Sequence, residues 1–106
     1  VLDSTSGSPA PEVTIRLERL TERGFIHIGD GATGTEGRCN DLLPVTHRLD
    51  AGIYKITFST AEYFAKRGIH SFYPFVEIPF EIKNVEEHYH IPLLLAPYAY
   101  STYRGS

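Results

Sequence analysis

The chain has 106 residues, of which 42% are hydrophobic and 22% charged, and its formal net charge is -3. These figures fit one globular domain spanning 1–106. Seven tyrosines and six phenylalanines, with many aliphatic residues, exclude wholesale disorder. No run approaches the about 20 apolar residues of a membrane-spanning helix, and the acidic balance argues against a nucleic-acid partner, which needs a basic face.

A single cysteine, Cys39, leaves no intramolecular disulfide and points to a reducing, intracellular setting. A lone domain of this size buries only about 60–65% of its unfolded surface, so self-association is expected to add burial.

Taken in chain order, Val1 to Pro11 reads as a strand followed by a turn rich in Ser, Gly and Pro. The chain opens on Val1 rather than Met, and Val1-Leu2-Asp3 lacks the basic start and apolar stretch of a signal peptide, so a trimmed product is expected. Val13, Ile15 and Leu17 alternate with Thr14, Arg16 and Glu18, the period of a half-buried strand. Phe25 to Ile28 predicts a second strand ended by Gly29-Asp30-Gly31. Gly29 to Asn40 reads as loop, with one short strand around Ala32 to Thr35. Tyr54, Ile56 and Phe58 share a face of a strand over Ile53 to Ser59. Thr60 is expected to cap a helix from Ala61 to Arg67, with Gly68 as its left-handed stop and Glu62–Lys66 as an i,i+4 pair. Val76, Ile78, Phe80 and Ile82 form another strand, and Pro79 on its other face implies an edge or a bulge. Seven or eight strands and one short helix predict a mainly β fold, an antiparallel β-sandwich.

His88 to Leu95 and Tyr98 to Arg104 read as a hairpin turning at Ala96-Pro97, which sets Leu95 opposite Tyr98, Pro92 opposite Ser101 and His90 opposite Tyr103. Alternation then puts His90, Pro92, Leu94, Ala99, Ser101 and Tyr103 on one face. The opposite, hydrophobic face carries Tyr89, Ile91, Leu93 and Leu95 with Tyr98, Tyr100 and Thr102, and is expected to face the core. The mixed face is either plain surface or a binding wall.

His88-Tyr89-His90-Ile91-Pro92-Leu93-Leu94-Leu95, followed by Ser101-Thr102-Tyr103-Arg104-Gly105-Ser106, resembles the transthyretin-related 5-hydroxyisourate hydrolases. The closing Tyr-Arg-Gly-Ser is the signature that separates this family from transthyretin. Val1-Leu2-Asp3, Gly7-Ser8-Pro9-Ala10, Thr35 to Arg38, Ala51-Gly52-Ile53-Tyr54 and Tyr63-Phe64 agree with the resemblance, which is loose from Thr21 to Thr33. It implies a transthyretin-like sandwich, a homotetramer with active sites in a channel, and opening of the 5-hydroxyisourate ring to 2-oxo-4-hydroxy-4-carboxy-5-ureidoimidazoline. The mixed face with His90, Ser101 and Tyr103 would line that channel.

By the same resemblance His90 matches the catalytic histidine, and a neutral imidazole can accept a proton from water near neutral pH. Arg38 matches the substrate-binding arginine, whose planar fork suits the carbonyl and amide edges of an oxidised purine. Tyr103 matches a substrate contact with Ser101 beside it, while Arg104 and the Ser106 carboxylate shape the site. Family members carry a second catalytic histidine directly before the Val-Leu-Asp segment, so a chain starting at Val1 is expected to be slow.

His88 shares parity with His90, which makes a zinc pair chemically conceivable, but no third ligand stands at ligand spacing and the family needs no metal. No cofactor is expected. His27, His47 and His70 read as surface or loop residues, and Cys39 as a bland buried or loop thiol. A transthyretin-type carrier of a flat aromatic ligand is the alternative function, and a β-sandwich interaction module is a third. Polar His90, Arg38 and Tyr103 favour the enzyme. The compartment is expected to be cytoplasmic or peroxisomal, although the Ser-Lys-Leu type of C-terminal address is not present.

Overall fold

A computed structural model describes residues 1–43, 49–87 and 89–105. It contains, in order, β1 (Leu2–Asp3), β2 (Ser8–Pro9), β3 (Thr14–Thr21), β4 (Gly24–Ala32), β5 (Gly52–Phe58), α1 (Thr60–Ala65), β6 (Val76–Ile82), β7 (Leu93–Ala96) and β8 (Ala99–Thr102). The strands form two four-stranded sheets, ordered β2-β1-β7-β8 and β4-β3-β5-β6. This is the predicted sandwich with one short helix. Its pairs are antiparallel except β1–β7, where Leu2 lies beside Leu94 and Asp3 beside Leu95 in parallel. Among the described residues no helix is long and apolar enough to cross a membrane.

The core follows the predicted alternation. Ile15 and Leu17 of β3, Tyr54, Ile56 and Phe58 of β5, and Leu93 and Leu95 of β7 are all buried. Each such side chain contributes about 1.5–3 kcal/mol relative to exposure, which welds the two sheets together. Tyr63 and Phe64 of α1 join the same cluster. Pro79 lies in β6, an edge strand, where a missing N–H leaves no ladder bond unmade.

Four local expectations are corrected. First, β4 does not stop at Ile28: Gly29, Asp30 and Gly31 stay in the ladder opposite Leu17, Arg16 and Ile15, and no separate strand forms around Ala32 to Thr35. The glycines serve close approach rather than a turn. A Cβ on Gly29 would overlap the Leu42 carbonyl oxygen, and one on Gly31 would sit 2.6 Å from the Cys39 sulfur. Second, Thr60 is the first helical residue and not the cap; Ser59 takes that place without a side-chain cap bond, and the buried Thr60 hydroxyl has no partner. Gly68 is left-handed as predicted (φ +70°), and Lys66 lies 3.5 Å from Glu62.

Third, the β7–β8 turn is Pro97-Tyr98, not Ala96-Pro97, so Leu94 pairs with Ser101 and Ala96 with Ala99. A residue before proline prefers the extended region, which keeps Ala96 in the strand, and the fixed φ of Pro97 suits the first turn position. The register therefore slips by two residues, which leaves each side chain on its predicted face. Fourth, Tyr98, Tyr100 and Thr102 do not enter the core. Strand β8 is a sheet edge, and all four of its residues are exposed. Tyr100 meets Tyr73 edge-on at 5.2 Å between ring centroids.

Candidate active site

Arg38 sits in the loop that follows β4. The buried Thr33 hydroxyl ties this loop to the sandwich, donating to the Ala10 carbonyl (2.7 Å) and accepting from the Val13 N–H (2.9 Å). The loop then closes on itself. The N–H of Gly34 donates to the Arg38 carbonyl (2.8 Å) and that of Gly37 to the Gly34 carbonyl (2.9 Å). Gly37 is buried with φ +77°, and a Cβ there would overlap the Val1 carbonyl oxygen and stand 3.1 Å from the Pro9 side chain. Only glycine fits that position, on both conformational and steric grounds. The Val1 nitrogen donates to the Gly37 carbonyl.

His90 comes from the other sheet. It is half-buried and joined to Gly105 by an isolated bridge, in which the Gly105 N–H donates to the His90 carbonyl (2.8 Å). Pro92, which has no N–H, separates this bridge from the β7 ladder, and the Thr102 hydroxyl donates to its carbonyl instead (2.7 Å). Neighbours on both sides are anchored. The Tyr89 hydroxyl accepts from the N–H groups of Lys83 and Asn84 (both 3.2 Å) and donates to the Asn84 carbonyl (3.1 Å). The Arg104 guanidinium pairs with Glu87 at 2.8 Å and lies 4.6 Å above the Tyr89 ring. Its hydrogen bond to Glu87 raises the already high Arg104 pKa, so the cation is permanent.

Two adjoining hollows meet at His90. The first, about 410 Å³, is lined by Val1 and by the polar Arg38, Asn40 and His90, over an apolar floor that includes Leu17 and Phe58. The second, about 350 Å³, holds His90, Tyr103, Arg104 and Glu81. Both include Phe80, Tyr89 and Ile91. His90 is thus brought together with Arg38 in one hollow and with Tyr103 in the other. Tyr103 does not face His90 across the strands as predicted, because Gly105 occupies that position. Ser101 stands apart from both hollows, exposed and opposite Leu94. Ser106, His88 and His47 lie outside the described residues.

Sequence reasoning did not single out Asn40 or the Glu87–Arg104 pair. Proximity to Arg38 in one loop could have suggested Asn40, whereas no spacing signals an ion pair between residues so far apart in the chain. The remaining histidines behave as predicted: His27 is exposed and pairs with Asp30 at 2.8 Å, and His70 is exposed near Tyr98. Cys39 is half-buried in its loop. Burial pushes its thiol pKa up, and the Asp41 carboxylate 3.3 Å away pushes it the same way, which disfavours a nucleophilic thiolate.

Known proteins share this fold. The profile of the HIUase/Transthyretin family matches residues 1–105. The chain belongs to that family. Its sequence is 42% identical to the 5-hydroxyisourate hydrolase of Mus musculus over 108 residues, covering all of this chain and 91% of the mouse protein. Among solved structures, the 5-hydroxyisourate hydrolase of Klebsiella pneumoniae superimposes with a TM-score of 0.85 at 37% identity, covering 99% of this chain and 92% of that one. Transthyretin from Sparus aurata superimposes with a TM-score of 0.87 at 30% identity, covering 98% and 90%. The family fold is therefore common to hydrolases and to transthyretin, and residues rather than topology must separate the two activities.

Proposed function

We propose that this chain is a single-domain hydrolase that opens the ring of 5-hydroxyisourate to 2-oxo-4-hydroxy-4-carboxy-5-ureidoimidazoline, a step of urate breakdown. The observation that carries the reading is the meeting of Arg38 and His90 in one hollow with an apolar floor. Relatives named for this activity, aligned over the whole chain, support it. A flat, polar heterocycle fits such a space: its ring lies on the apolar floor and its carbonyls meet the guanidinium.

His90 takes a proton from water as the water oxygen bonds to the ring carbonyl carbon. The Arg38 fork binds the carbonyl edge and stabilises the negative charge that develops on its oxygen. The ring C–N bond then breaks, and the proton held by His90 passes to the leaving nitrogen, so atoms and charge balance. Tyr103 contacts the substrate from the adjoining hollow.

The working form is a homotetramer of about 48 kDa, built from 11.9 kDa chains. Exposed Phe72, Phe75, Tyr98 and Tyr103 and the open edge of β8 support assembly, since a monomer seldom leaves so much aromatic surface and unpaired backbone in water. Light scattering that finds a stable monomer at micromolar concentration would remove the shared channel. The setting is intracellular, cytoplasmic or peroxisomal, in keeping with the unpaired Cys39. The functional test is the decay of absorbance of freshly prepared 5-hydroxyisourate: acceleration in proportion to added protein supports the hydrolase, and a decay no faster than in buffer refutes it.

A further inference from the structure

We propose that Gly105 is the positioning residue for the His90 imidazole, holding its orientation by leaving empty the space that the ring occupies. The inference deepens the hydrolase reading above, since it rests on His90 as the base. Three observations carry it. A Cβ built on Gly105 would overlap His90 Nδ1 and lie 2.8 Å from Cγ and 3.0 Å from Cβ, so its three nearest atoms all belong to that one side chain. Gly105 is buried, yet it is not among the glycines with positive φ, so its backbone makes no conformational demand for glycine. The demand is for space alone, and His90 is what fills it.

The third observation is that neither partner is free to back away. The Gly105 N–H is bonded to the His90 carbonyl at 2.8 Å, which fixes the separation of the two backbones. Arg104, the preceding residue, is held by Glu87 and lies on the ring of Tyr89, which itself precedes His90. A methyl group added at Gly105 must therefore turn the imidazole about its side-chain torsions rather than push the strands apart. In the native chain the Nδ1–Cγ edge rests on the glycine, which leaves Nε2 as the nitrogen available to water. Turning the ring displaces that nitrogen on the ångström scale, enough to cost about 10²-fold in rate without loss of binding groups.

The test compares the parent, Gly105→Ala, His90→Ala and the double variant, using 5-hydroxyisourate turnover and the imidazole proton resonances of His90. We expect Gly105→Ala to lower kcat by about 10²-fold with KM nearly unchanged and to shift the His90 ring resonances. In the His90→Ala background the same substitution should cost nothing further, because the ring it displaces is gone. An undiminished kcat with unmoved ring resonances overturns the proposal, as does an equal loss in both backgrounds. If Gly105→Ala does not fold, the double variant should fold, since removing the ring removes the overlap; a double variant as unfolded as the single one is equally fatal. If the parent leaves 5-hydroxyisourate untouched, the hydrolase reading fails, and the ring resonances of the folded Gly105→Ala chain alone decide for or against Gly105.

Discussion

Tyr63→Phe is expected to destabilise the protein by an amount that depends on pH. The Tyr63 hydroxyl donates to Asp3 Oδ2 at 2.8 Å, and both residues are buried at 3% exposure. This bond ties β1, and with it the Val1 edge of the Arg38 hollow, to the helix. Phenylalanine keeps the ring, its place in the core and its contact with Arg67, whose guanidinium lies 3.8 Å from the ring centroid. The substitution therefore removes one hydrogen bond to a charged acceptor, worth about 1.5–3 kcal/mol. At about 4–8 °C per kcal/mol for a domain of this size, Tm should fall by at least about 6 °C at pH 7.

The sign of the pH dependence follows from Asp3. Burial acts to raise its pKa. Hydrogen bonds from the Thr5 hydroxyl, the Tyr63 hydroxyl and the N–H groups of Thr5 and Ser6 overcome that, leaving it below the ordinary carboxylate value. A carboxylate with a depressed folded pKa contributes stability above its unfolded pKa of about 3.9 and loses it as pH falls through the folded value. Tyr63 remains a donor throughout this range, because burial and the Asp3 carboxylate raise its own pKa. The difference between parent and variant should hence shrink as pH falls, beginning where the variant's Asp3, one donor short, takes up its proton and closing below the lower folded pKa of the parent. Thermal melts at fixed protein concentration, stepped from pH 7 to pH 3, measure it. Equal Tm values at pH 7, or a difference that does not narrow in acid, would refute the reasoning.

Other substitutions probe the site. Arg38→Lys keeps the charge but loses the bidentate fork, so binding of a flat urate analogue should weaken despite the conservative change; unchanged affinity by calorimetry would mean that Arg38 does not grip the ligand. Adding one histidine before Val1 extends the chain from a residue that already lines the Arg38 hollow. Turnover should rise by about 10–10³-fold if a second imidazole can orient the water, and equal rates in a paired absorbance assay would make that residue dispensable.

Much of the fold was legible because its strands alternate cleanly. Ile15 and Leu17, Tyr54, Ile56 and Phe58, and Leu93 and Leu95 all lie inside, as period two requires. What escaped depends on contacts between distant segments. Gly29 and Gly31 look like a turn, but they are strand residues stripped bare for Cys39 and Leu42. The hydrophobic side of β8 looks like core, but β8 is a sheet edge whose residues stay exposed. The hairpin register differs from the alternation-based expectation by two residues, a shift that alternation conceals because faces repeat every second position. At the site, the resemblance singled out Arg38, His90 and Tyr103. It could not tell that Tyr103 lies in a second hollow, or that Gly105 takes the place opposite His90.

The measurement that bears most directly on the account is the turnover of 5-hydroxyisourate by His90→Asn beside the parent, at equal concentration and with matching circular dichroism. Asparagine keeps a polar side chain of similar reach but cannot act as the base. The account predicts a fall of about 10²–10⁴-fold with the fold intact. A folded His90→Asn chain that turns substrate over at near the parent rate would contradict it, and would return His90 to an ordinary half-buried histidine.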